Sequence, residues 1–192
     1  MPSLHFITHP EVVIDHSVPV PDWSLSPEGF RRMGLALEQP WMNRLAAVFS
    51  SAERKAIDAA QLVGDRFGLS PVIIAELGEN DRSATGYLPK AEFEATADLF
   101  FAHPEKSVRG WERAVEAQRR IVAAVEGVIV QAPGHGDVAV ISHGGVGALL
   151  LCHLKGMPIS RTEDQPGAGG GCVYSFDIGT RGLLSGWSRI ED

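Results

Sequence analysis

Two apolar runs that each end in a histidine constrain this chain most: Leu4-His5-Phe6-Ile7-Thr8-His9 near the N-terminus, and Val138-Ala139-Val140-Ile141-Ser142-His143-Gly144-Gly145 near the C-terminus. Both read as short buried strands, and in an open α/β sheet the chemistry sits just past the carboxyl ends of parallel strands. His9 and His143 are therefore predicted to meet at one sheet edge. A neutral imidazole can attack phosphorus and a charged one can hold a phosphate oxygen, so the pair suits phosphoryl transfer. For either histidine alone, the competing reading is a satisfied structural residue at a strand end.

The rest of the chain alternates short apolar runs with amphipathic stretches. The first strand ends at about Thr8, and Pro10, Pro19 and Pro21 make residues 10–25 a loop. Ser26-Pro27-Glu28 has the composition of a helix start, with Ser26 as N-cap, and predicts a helix to about Gln39. Ala46 to Ser50 reads as a strand, and from Ser51 a helix carries Ala56, Ala60, Val63 and Phe67 on one face before Gly68 closes it. Pro71 to Ala75 reads as a third short strand. Residues 76–110 form a lid or insertion, whose Tyr87, Phe93, Phe100, Phe101 and Trp111 are either pocket walls or core. A long amphipathic helix is predicted from Lys106 to about Gln131, then a helix over Gly144 to Leu154, and two terminal strands near 172–178 and 184–190. The glycine-rich run Gly167 to Gly171 lacks a phosphate-loop pattern and reads as a flexible connection. Crossover connections between such strands predict one domain over residues 1–192, a three-layer α/β/α sandwich with a mostly parallel central sheet.

Charge and composition exclude several classes. A net charge of −7 argues against a nucleic-acid or anionic-membrane surface, since both need a basic face. No apolar run reaches the roughly 18 residues of a membrane span, and no basic segment leads into a long apolar one. Cys152 and Cys172 lack metal-ligand or redox spacing and read as structural thiols. These features together predict a cytoplasmic protein. No HExxH or comparable ligand cluster is present, which disfavours a metal hydrolase, and Val140-Ile141-Ser142-His143-Gly144 lacks the first glycine of a serine-hydrolase elbow.

Four segments, in order and across nearly the whole chain, resemble the histidine phosphatase superfamily, the phosphoglycerate-mutase-like proteins. Leu4 to Pro10 is similar to the family strand ending in Arg-His-Gly, Ser26 to Gly29 to its helix start, Ser50 to Ala60 to its Ser-Ser-x-x-x-Arg-Ala stretch, and Val140 to Gly145 to its Ser-His-Gly-Gly strand end. The resemblance implies a phosphoglycerate-mutase-like fold and a phosphatase of small phosphomonoesters that needs no cofactor or metal. It implies that His9 is the nucleophile that becomes phosphorylated and that His143 contacts the phosphoryl group, with Gly144 beside it. The general acid falls at Glu79, with Glu76 as the alternative, against a reading of Glu79 as a solvated loop carboxylate.

The chain also departs from the family pattern. Thr8 stands for the arginine before the nucleophile, Pro10 for the glycine after it, and Lys55 for the later arginine. Lysine keeps attraction but loses the bidentate fork, and Thr8 keeps only a neutral hydroxyl. Asp15 places an anion at the family's polar position six residues after the nucleophile. Arg82 is a substitute cation, Arg54 and Lys55 cannot both face the site from one helix, and Ser51 is either an anion donor or an N-cap. The alternative to a phosphatase is thus a degenerate member that binds a phosphorylated ligand or a partner without turnover.

Overall fold

The computed structural model describes residues 2–192. Six strands form one sheet: β1 (Ser3–Thr8), β2 (Leu45–Ser50), β3 (Val72–Ile73), β4 (Asp137–Ser142), β5 (Cys172–Asp177) and β6 (Leu183–Arg189), in the order β3-β2-β4-β1-β5-β6. The first three pairings are parallel, and the β5 and β6 edge is antiparallel. Five helices, α1 (Pro27–Ala36), α2 (Arg54–Phe67), α3 (Lys90–Ala102), α4 (Ala114–Gln131) and α5 (Gly144–Leu154), cover the two faces.

Alternation along the central strands builds the three layers. Leu4, Phe6, Val138, Val140 and Phe176 point to one face and pack with α4 and α5, while Ile7, Ala139, Ile141, Val48 and Val173 point to the other and pack with α1 and α2. β1 and β4 are buried along almost their whole length because both of their faces are covered. Among the described residues, no helix is long and apolar enough to cross a membrane.

Local chemistry explains where elements differ from the expected bounds. Ser26 caps α1, its side chain accepting from the Gly29 N–H, and a Cβ on Gly29 would overlap the Glu11 carbonyl. The helix stops at Ala36, short of Gln39, because Glu38 and Gln39 tighten to i→i−3 bonds ahead of Pro40. α2 begins after Glu53, so Ser51 is not its N-cap. α4 begins at Ala114, well after Lys106, because Arg109 and Gly110 take left-handed backbone. In residues 76–110, α3 buries Phe100 and Phe101 in the core beside Trp111. Those three rings are therefore core residues.

The glycine-rich run is exposed over Gly167 to Gly169, but its end is held in place against the strand edge. Gly171 N donates to the His9 carbonyl, and Gly170, at φ +64, leaves no room for a Cβ against that carbonyl. The buried Arg32 donates to the Gly170 and Gly171 carbonyls and pairs with Glu11 and Glu191. This segment braces the backbone of His9 from behind.

Candidate active site

Strand register assembles the site. Thr8 pairs with Ser142 and Ser50 with Ile141, so β1, β4 and β2 end at one level. His9 N donates to the Ser142 carbonyl at 3.2 Å and Ser51 N to the Ile141 carbonyl at 3.0 Å, extending the ladders past the strand ends. The His9 and His143 rings lie edge to face with centroids 5.1 Å apart. They share the end of a cavity of about 1080 Å³ whose lining also includes Glu53, Lys55, Glu79 and Arg82.

His9 Nδ1 lies 2.8 Å from the Pro10 carbonyl, an acceptor only, so Nδ1 carries the proton and Nε2 keeps its lone pair. Burial, with His143 and Lys55 nearby, lowers the His9 pKa to about 3 despite the Pro10 bond. Burial likewise lowers His143, outweighing what Glu53 and Glu79 restore, and Lys55 and Arg82 add to the lowering. Both rings are therefore neutral at neutral pH. His143 Nε2 meets the Ser51 hydroxyl at 2.7 Å, which accounts for the Ser51 side chain.

Glu79 is drawn in by its backbone. The Ser142 hydroxyl donates to the Leu77 carbonyl at 2.6 Å, and Arg120 on α4 donates to the carbonyls of Glu76, Gly78 and Glu79. The Glu79 carboxylate then sits on the N-terminus of α5, accepting from Gly145 N and Val146 N at 3.0 Å each, and from Asn80 N. Burial alone would raise its pKa, but Arg82, His143 and these amides hold it below the ordinary carboxylate range. Glu79 is therefore no solvated loop carboxylate, whereas Glu76 is exposed and does not line this cavity.

The cations divide. Lys55 is buried and lines the cavity, while Arg54 turns outward to Asp58. Arg82 lies over Phe93 and Trp111, 4.9 and 5.0 Å from their ring centroids, and 3.3 Å from Glu79. Thr8 is occupied elsewhere: its hydroxyl donates to Gln165 Oε1 at 2.6 Å and accepts from Cys172 N. Gln165 fills the space between Thr8 and Gly144, since a Cβ on Gly144 would overlap the Gln165 amide. Asp15 is exposed, bonded to Ser17, and not part of the cavity lining, so it brings no anion to the site.

Glu53 has no counterpart in the sequence reading. Its Oε1 lies 3.3 Å from His143 Nε2 and accepts from Glu79 N at 2.9 Å, and its Oε2 lies 2.5 Å from Lys55 Nζ. Burial opposes its ionisation, but His143, Lys55 and the Glu79 amide lower its pKa to about 2. Its sequence signal was slight, because a glutamate at a helix start reads as a dipole partner.

The histidine phosphatase superfamily (branch 1) model matches residues 5–185. The chain belongs to the histidine phosphatase superfamily. The fold is similar to that of solved phosphatases: a mycobacterial glucosyl-3-phosphoglycerate phosphatase bound to inorganic phosphate superposes with a TM-score of 0.78 at 20% identity, covering 100% of both chains. YhfR of Bacillus stearothermophilus gives 0.74 at 21% identity, covering 95% of this chain and 94% of its own. A phosphoserine phosphatase variant from Entamoeba histolytica, in complex with phosphoserine, gives 0.75 at 16% identity, covering 97% and 96%. No curated protein sequence matches the chain.

Proposed function

We propose that this histidine phosphatase superfamily member hydrolyses a small phosphomonoester through a phosphohistidine at His9, without a metal. The observation that carries this reading is the His9 tautomer: Nδ1–H donates to the Pro10 carbonyl, so the Nε2 lone pair is free beside His143 at the end of the cavity. Nε2 attacks phosphorus as the bond to the leaving oxygen breaks, and the positive charge that forms on the ring is shared by the Nδ1–H bond to Pro10. Lys55, Arg82 and the first-turn amide of α5 at Gly144 are the donors for phosphoryl oxygens. A negatively charged phosphoryl group beside Glu79 opposes the effects that keep it ionised, so substrate itself moves this carboxyl toward the protonated form a general acid needs. Water then attacks the phosphohistidine, Glu79 taking its proton, and inorganic phosphate leaves.

The Glu53 to Lys55 ion pair favours a second reading, ligand binding without turnover, because it neutralises the nearest lysine. Phosphate release from an aryl phosphomonoester with chelator present separates the two. Release that persists with chelator and disappears in His9→Ala supports the phosphatase. Release that needs a metal, or that survives His9→Ala, overturns it; phosphate binding with no release selects the second reading.

A further inference from the structure

Glu53 is a carboxylate at a position where it competes with a ligand. It bridges His143 Nε2 and Lys55 Nζ, and Lys55 Nζ also donates to the Val20 carbonyl at 2.9 Å. Both groups line the cavity that holds His9, so the lysine that would meet a phosphoryl oxygen already carries an internal anion. The charged groups around Glu53 are Lys55 on α2, Glu79 with its partner Arg82 on the facing loop, and, farther out, Arg120 from α4, whose charge is matched by its own partner Glu112, with neutral His9 and His143 between them. Glu53 and Glu79 offset Lys55 and Arg82, leaving the end of the cavity without net charge. With Glu53 uncharged, the same groups would carry one positive charge.

We propose that Glu53 is a specificity-determining residue, which makes the site prefer a singly charged phosphoryl group over the dianion. The inference rests on the reading of this cavity as a phosphoryl site and names the charge state of what it takes. A phosphoryl group loses its second proton near pH 6, at about 6 for a phosphomonoester. A monoanion approaches Glu53 with half the repulsion a dianion meets, and its remaining proton can be donated to the carboxylate. The phosphoryl group and Glu53 then share Lys55 and His143 instead of contending for them.

The test is calorimetric titration of inorganic phosphate into the wild-type protein and Glu53→Gln at about pH 5 and about pH 8, on either side of that ionisation. The wild type is expected to bind at least about tenfold tighter at the lower pH. Glu53→Gln should abolish that preference and bind at least about tenfold tighter than wild type at the higher pH, where a full unit of repulsion is gone. Glu53→Ala serves if the amide does not fold, with the same expectation. Equal pH ratios in wild type and variant, or weaker binding by the variant at both pH values, overturn the role of Glu53 while leaving the phosphoryl site standing. Absence of phosphate binding by every protein at both pH values overturns the phosphoryl site itself, and the inference with it.

Discussion

Replacing Glu79 with glutamine removes one acceptor from a place built for a carboxylate. With its carbonyl oxygen at the Oε1 position, the new side chain keeps the Asn80 and Val146 amides, and its NH₂ then faces Gly145 N and Arg82, both donors. A buried amide left without a partner costs about 1–3 kcal/mol, and the lost anion at the α5 N-terminus about 0.3–1 kcal/mol. The partly exposed Arg82 pair adds little after screening. The sum is about 1–4 kcal/mol, which for a chain of this size lowers the melting temperature by roughly 3–15 °C. Glu79 is depressed in the folded state, so its stabilisation is present above the ordinary carboxylate range and lost as pH falls through its folded value. The gap between wild type and Glu79→Gln, read by circular dichroism at about pH 7, should therefore narrow in acid. If Glu79 also delivers the proton, turnover of alkyl phosphates should fall by about 10²–10⁴, with aryl phosphates, whose leaving groups need little help, affected far less. A variant melting within about 2 °C of wild type refutes the capping argument. Equal losses on both substrates refute proton delivery.

Three other outcomes follow from the geometry. Thr8→Arg alone should destabilise the protein, because Gln165 fills the adjoining space; paired with Gln165→Gly, the guanidinium gains room beside His9, and phosphatase activity should rise by roughly tenfold, equal to about 1.4 kcal/mol of transition-state stabilisation. Gly170→Ala should cost at least about 1–3 kcal/mol for its left-handed backbone and, by pushing the His9 carbonyl, lower kcat/KM by about 10²; normal activity and melting would contradict the bracing role. Acid titration monitored by urea unfolding should show stability falling below about pH 6.5, the ordinary histidine value, because His5, His9 and His143 are all lowered in the fold and the unfolded chain takes up the protons. Each contributes up to about 1.4 kcal/mol per pH unit, less for His9 where the ring meets the cavity; a flat profile from neutrality to about pH 4 would refute the neutral-ring assignment.

The parts of the fold legible in sequence were those with local signals. Short apolar runs marked β1, β4 and the α5 stretch, and the Ser26-Pro27-Glu28 start of α1 carried its own cap. The histidine pair was legible because each histidine closes a strand and parallel register aligns the ends. What escaped depends on partners distant in the chain. Nothing near Thr8 indicates Gln165, and nothing near Arg32 or Arg120 indicates the carbonyls they hold. The Asp15 side chain left the site because its own turn, closed by Ser17, offered nearer donors. Glu53 was missed because its role arises only when the loop carrying Glu79 folds over it.

The central claim is that His9 Nε2 takes the phosphoryl group. The most direct measurement is rapid labelling with a radioactive phosphomonoester, quenched in alkaline denaturant and followed by peptide mapping at alkaline pH, where a phosphohistidine survives. Label is expected on the peptide containing His9, accumulating within one turnover, absent in His9→Ala and unaffected by chelator. Turnover by the wild type with no labelled histidine, or with the label on His143, would contradict it.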